Sequence, residues 1–111
     1  MENIVVIFKA LSDTTRLRLA VLLAGQGETC VCYLAQALDE PDYKVSRHLS
    51  VMRSAGLVQA RRQGTWMHYR ISEPKNGFDR QLKDLLRTSL ADHPVAKSDN
   101  ERMCRCTCGK Q

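Results

Sequence analysis

Residues 57–72, "LVQARRQGTWMHYRIS", change the rhythm of the chain. Elsewhere apolar residues recur every three or four positions, the period of a helix face packed on a core; here the period is two. Val58 and Ala60 point one way, and Met67, Tyr69 and Ile71 share that side on the return, with Gln63-Gly64 supplying the turn. One β-hairpin set among helices is the economical reading. At 111 residues the chain has room for a single modest core. The expected fold class is mainly α with a β-hairpin wing, in the order α-α-α-α-β-β-α.

Four helices are expected ahead of the hairpin. Ile4, Val5, Phe8 and Leu11 lie at helical spacing in the first. In "SDTTRLRLAVLLAGQG", Ser12 or Asp13 caps a second, and Gly25 and Gly27 stop it. "TCVCYLAQALDEP" gives a third, with Thr29 as cap and Val31, Leu34, Ala35 and Leu38 inward. Asp42 then caps the fourth, "DYKVSRHLSVMRSAG", whose core stripe is Val45, Leu49 and Met52. After the hairpin a last helix, about 76 to 90, buries Phe78, Leu82, Leu85, Leu86 and Leu90. Beyond it the chain turns polar. Residues 1–92 are therefore expected to form the folded domain, and residues 93–111 a flexible tail bearing cysteines.

Charge singles out one part of this layout. Between Pro41 and Arg70 stand six basic residues (Lys44, Arg47, Arg53, Arg61, Arg62 and Arg70) against one acid, Asp42. The net charge of the whole chain is +5, so this third carries all of the excess. A local cationic stripe is the footprint of a polyanion partner. Two short helices joined by a tight turn, the second polar and basic outward, make a helix-turn-helix. Its reading face holds Tyr43, Lys44, Ser46, Arg47, His48 and Ser50, and the wing adds Arg61 and Arg62. Arg47 has the fork to read guanine O6 and N7 in the major groove; the wing arginines suit phosphate or an adjacent minor groove. The expected partner is double-stranded DNA.

Cysteine usage points to a second function. No apolar run is long enough to span a bilayer, and "MENIVVIFKALSD" lacks a signal-type core, so a soluble, cytoplasmic protein without a membrane partner is expected. Five cysteines in that compartment argue for metal, metalloid or redox chemistry over a disulfide framework. Cys30 and Cys32 open the third helix; Cys104, Cys106 and Cys108 sit in "ERMCRCTCGKQ". Thiolates select soft ions: arsenic(III) or antimony(III), and alternatively cadmium or lead. The helix N-terminus is expected to lower the pKa of the first pair. Residues i and i+2 of an ideal helix face apart, so one ion is expected to hold both only if the first turn opens. A twelve-residue flexible span from Asp92 to Cys104 covers roughly 20 Å, enough to bring a tail thiol to the pair. No thioredoxin-type Cys-x-x-Cys and no nucleophile–base set is present; an enzyme, or a site for an organic cofactor, is not expected.

The motifs "LSDTTRLRLAVLL", "CVCYLAQAL", "KVSRHLSVMRSAGLV" and "RRQGTWMHYRIS", in this order, closely resemble the ArsR/SmtB family of metal- and metalloid-responsive repressors, most of all its arsenic-responsive branch. The likeness runs from about residue 4 to residue 90. It implies a winged helix-turn-helix homodimer, joined through its first and last helices, that leaves its operator when an inducer binds. Such a dimer expects an imperfect inverted repeat, its half-sites one turn of DNA apart. Arsenic-responsive relatives commonly carry a third cysteine three residues after the second, where this chain has Ala35. The zinc-site pairing found on the last helix of other relatives is missing from "NGFDRQLKDLLRTSLADH", where Asp92 and His93 are expected to cap.

Two thiol architectures stay open: Cys30 and Cys32 with one tail cysteine, or the three tail cysteines alone. The first couples directly to the reading helix. Rival functions are a cadmium- or lead-responsive repressor, a thiol-redox-responsive repressor of the same fold, and, in a different class, a metal-buffering thiol protein.

Overall fold

The computed structural model describes the backbone of residues 1–108 and the side chains of residues 1–104. Helices α1 (Glu2–Leu11) and α2 (Thr14–Gln26) come first, then a short strand β1 (Thr29–Cys30), α3 (Val31–Leu38) and α4 (Asp42–Ser54). The hairpin strands β2 (Val58–Gln63) and β3 (Trp66–Ile71) follow, then α5 (Gly77–Arg87), a 3-10 turn at Leu90–Asp92, and α6 (Pro94–Cys108).

Fully buried side chains from five helices make the core: Leu19 and Leu23 of α2, Leu34 of α3, Val45, Leu49 and Met52 of α4, Leu86 of α5 and Met103 of α6. Asp13 caps α2, its carboxylate accepting the Arg16 N–H at 3.1 Å. That bond holds the carboxyl below the usual Asp range. At the other end Gly27 takes φ 78°, a left-handed conformation glycine enters without steric cost. Asp39 ends α3 in the left-handed region, and the Glu40 N–H returns to the Ala35 carbonyl. This three-residue turn sets α4 against α3.

Several expectations change. The sheet has three strands in the order β1-β3-β2, because Thr29 and Cys30 pair with Tyr69 and His68 rather than starting a helix. Thr29 is thus no cap; its hydroxyl donates to the Gly27 carbonyl. At α4, Pro41 occupies the cap position and Asp42 the first helical turn, where its charge suits the helix dipole. The largest change concerns the expected flexible tail: its first fifteen residues from Pro94 are helix α6, packed on α2 and α3.

The physical reason for α6 is a clasp. Asp99 is buried and holds two guanidinium groups. Arg18 of α2 donates to it through Nε and Nη2 at 3.0 and 2.7 Å, and Arg102 through Nη2 at 2.7 Å. The same arginines donate to the last carbonyls of α3, Arg102 to Ala37 at 2.6 Å and Arg18 to Leu38 at 3.4 Å. Carbonyls at a helix C-terminus lack internal donors, so two cations there serve both hydrogen bonding and the dipole. His93, expected to close the preceding helix, starts this one: its Nδ1 accepts the Val95 N–H at 3.1 Å.

Candidate DNA interface and thiol site

Helix α4 divides as its periodicity demands. Val45, Leu49 and Met52 are sealed inside, while Tyr43, Lys44, Arg47 and Ser50 are exposed and Ser46 is half-buried. Arg47 lies over the Tyr43 ring, its guanidinium carbon 6.0 Å from the centroid, a cation–π contact that steadies both on the open face. Lys44 pairs with Glu40 at 2.7 Å. His48 departs from the set. It turns toward the start of α2, with Nδ1 3.4 Å from Arg16 Nη1 and 3.9 Å from Asp13 Oδ2. Its side chain is only 18% exposed, so it braces α4 on α2 rather than facing outward.

The wing is an antiparallel pair in continuous register from Val58 opposite Ile71 to Gln63 opposite Trp66. Its two-residue turn is Gly64-Thr65, with Gly64 at φ 64°. Neighbours along a strand point to opposite faces, so Arg61 and Arg62 cannot act alike. Arg62 shares the face of Met67 and is exposed. Arg61 shares the face of His68 and is forked onto Glu28, Nη2 to Oε1 at 2.5 Å and Nε to Oε2 at 3.1 Å. Glu28 was not legible as a site residue; nothing in local sequence relates it to a position 33 residues later.

The thiols meet. Cys30 Sγ and Cys32 Sγ are 3.0 Å apart. No helical turn has to open, because Cys30 is not helical: it caps α3 from extended backbone, φ −69° and ψ 144°, while Cys32 lies within the first turn. An extended residue followed by a helix brings i and i+2 side chains together where an ideal helix separates them. The expected drop in thiol pKa is not found at Cys32. Burial pushes it up, to about 11, and the hydrogen bond with Cys30 adds to the effect. Among the described residues no group of three or more His, Cys, Asp or Glu is set to hold a metal ion, so Cys104, exposed on α6, does not join the pair here. The side chains of Cys106 and Cys108 lie outside the described residues.

An exposed basic helix after a tight turn, a basic wing and a thiol pair at the entry to the preceding helix form one arrangement. The pattern of the bacterial regulatory proteins of the arsR family matches residues 13–60. An arsenic resistance transcriptional regulator of Pseudomonas putida is 50% identical over 94 residues, covering 85% of this chain and 79% of that protein. The chain belongs to the ArsR family.

An arsenical resistance operon repressor of Escherichia coli K12 is 52% identical over 66 residues, 60% of this chain. The match spans little more than half of that relative, 56%. Among solved structures, the homodimeric winged helix-turn-helix DNA-binding domain from Mycobacterium bovis superposes with a TM-score of 0.66 at 33% identity, covering 84% of this chain and 86% of that one. ArsR-family proteins are regulators, not enzymes, and this fold is their winged helix-turn-helix. No helix among the described residues is long and apolar enough to cross a membrane.

Proposed function

We propose that this chain is a homodimeric transcriptional repressor that binds operator DNA through α4 and the wing, and releases it when Cys30 and Cys32 capture arsenite or antimonite. The observation that carries the reading is the sulfur–sulfur approach of 3.0 Å at the start of the helix preceding α4. Tyr43, Ser46, Arg47 and Ser50 face the major groove, and Lys44 and Arg62 meet phosphates. The dimer surface is the apolar side of α1 and α5. Val5, Phe8 and Leu85 stand exposed there, and the Phe8 and Phe78 rings meet edge to face at 5.7 Å, joining the two helices into one patch. The likeness to a homodimeric relative supports this assembly.

The raised thiol pKa favours a metalloid over a cation. Arsenous acid exchanges each hydroxyl for a thiol sulfur: an As–S bond forms, an As–O bond breaks, and the thiol proton leaves in water. A neutral thiol therefore reacts without net proton release. A divalent cation must expel the proton, at a cost that grows with the thiol pKa. A pyramidal arsenic site needs a third sulfur, and one of the tail cysteines would supply it; Cys104, exposed on α6, stands apart from the pair in the metal-free protein.

Release requires that the ligand bind the two conformers unequally; typical couplings of about 1–3 kcal/mol lower affinity about 5–150-fold. Titrating labelled operator DNA with the dimer, with and without arsenite, tests the reading. The expected result is weaker operator binding once arsenite is bound. Unchanged affinity with arsenite demonstrably on the protein would end it.

A further inference from the structure

The reading face of α4 leaves open how two sulfurs at the head of α3 inform DNA contacts elsewhere. The sheet offers a direct route. Cys30 pairs with His68 on β3, and His68 pairs with Arg61 on β2, so the thiol strand and the wing are one hydrogen-bonded layer. Across that layer Glu28, two residues before Cys30, grips Arg61 with both carboxylate oxygens. β1 is only two residues long, an edge strand with little pairing to resist displacement.

Ion capture would load this edge. Two thiolates on one tetrahedral soft ion, with metal–sulfur bonds of about 2.3 Å, lie about 3.8 Å apart. The sulfurs, in contact at 3.0 Å, would part to hold such an ion. A pyramidal arsenic centre drives them in the same sense. Cys32 is set in α3, whose far end is fixed by Arg18 and Arg102. Cys30 is buried but sits in a two-residue edge strand, so a shift of its backbone would carry Glu28 with it.

We propose that Glu28 is the positioning residue of the inducer response: through its fork with Arg61 it sets the attitude of the wing in the metal-free protein and passes displacement of Cys30 to the wing when the thiols are occupied. This rests on the repressor reading above. Arg61 is then a strut of the wing, and its neighbour on the opposite face, Arg62, meets the phosphate. Removing the strut leaves the wing equally unguided with and without inducer, so the two states converge.

The test compares the wild-type chain with Glu28→Gln. Affinity for a labelled duplex selected by the metal-free protein is measured with and without arsenite, and arsenite stoichiometry is measured separately. In the variant the ratio of the two affinities falls by about threefold, the scale of an exposed ion pair. The electrostatic gain from losing a carboxylate near DNA, or a general loss of stability, shifts both affinities and leaves their ratio unchanged. Trp66, the single tryptophan, stands at the wing tip and supplies a second readout. Its emission changes on arsenite addition without DNA in the wild type and does not in Glu28→Gln. An unaltered ratio and an unaltered Trp66 response, with arsenite bound to both proteins, overturn the proposal and leave the repressor reading standing. A wild type that neither binds arsenite nor releases DNA overturns both.

Discussion

At the residue scale the proposed chemistry turns on Cys32. Its thiol is raised from 9.0 to about 11, chiefly by burial, so at neutral pH it is protonated. A raised acid pKa means the folded state favours the protonated form. That contribution to stability is full below about pH 9 and is lost as pH rises through about 11. For ligands, each proton expelled makes affinity rise about tenfold per pH unit. Cadmium affinity measured by competition between pH 6 and 8 is therefore expected to climb steeply, while arsenite affinity stays nearly flat. Iodoacetamide labelling followed by mass spectrometry checks the same point. At pH 7.5 the exposed Cys104 is expected to react before Cys32, and Cys32 to gain reactivity as pH rises. The cysteines were legible from sequence because thiols in Cys-x-Cys spacing are chemically distinctive. Their mutual geometry was not, since it follows from one residue's ψ angle at Cys30, which β1 pairing imposes.

At the element scale the proposed DNA contacts give helix α4 and the wing separable roles. Arg47→Ala is expected to cost about 1–3 kcal/mol on the operator and to relax base choice at one position, as binding to single-base variants would reveal. Arg62→Ala is expected to weaken all duplexes alike and to make the slope of log affinity against log salt shallower by about 0.9 for each phosphate that is no longer neutralised. His48→Ala is expected to act differently, lowering stability in urea while leaving base preference intact, because the ring packs against α2. Helix α4 and the hairpin could be read from sequence because their periods of 3.6 and 2 express burial on one side. The His48 departure was hidden by the same logic: a flank position on a helical wheel does not say which neighbouring element stands beside it.

At the scale of the whole molecule, α6 turns an expected appendage into part of the core. Met103→Ala is expected to cost about 2–4 kcal/mol in equilibrium unfolding, the range for emptying a buried methionine site. Asp99→Ala leaves Arg18 and Arg102 without their carboxylate and is expected to cost about 1–3 kcal/mol, after allowance for the part of Arg18 that water still reaches. Hydrogen exchange should show α6 opening first in that variant. The amino-acid sequence by itself determined the winged helix-turn-helix: its apolar periods, the cap before α2 at Asp13, and the cationic band from Lys44 to Arg70 are local properties carried by neighbouring residues. Only the tertiary structure decided that Arg18 meets Asp99 across 81 positions, that Glu28 meets Arg61, and that β1 joins the wing to the thiols. Those contacts are between charged or backbone groups distant in sequence, where burial period carries no signal and the partner is chosen by how the packed elements bring the groups together.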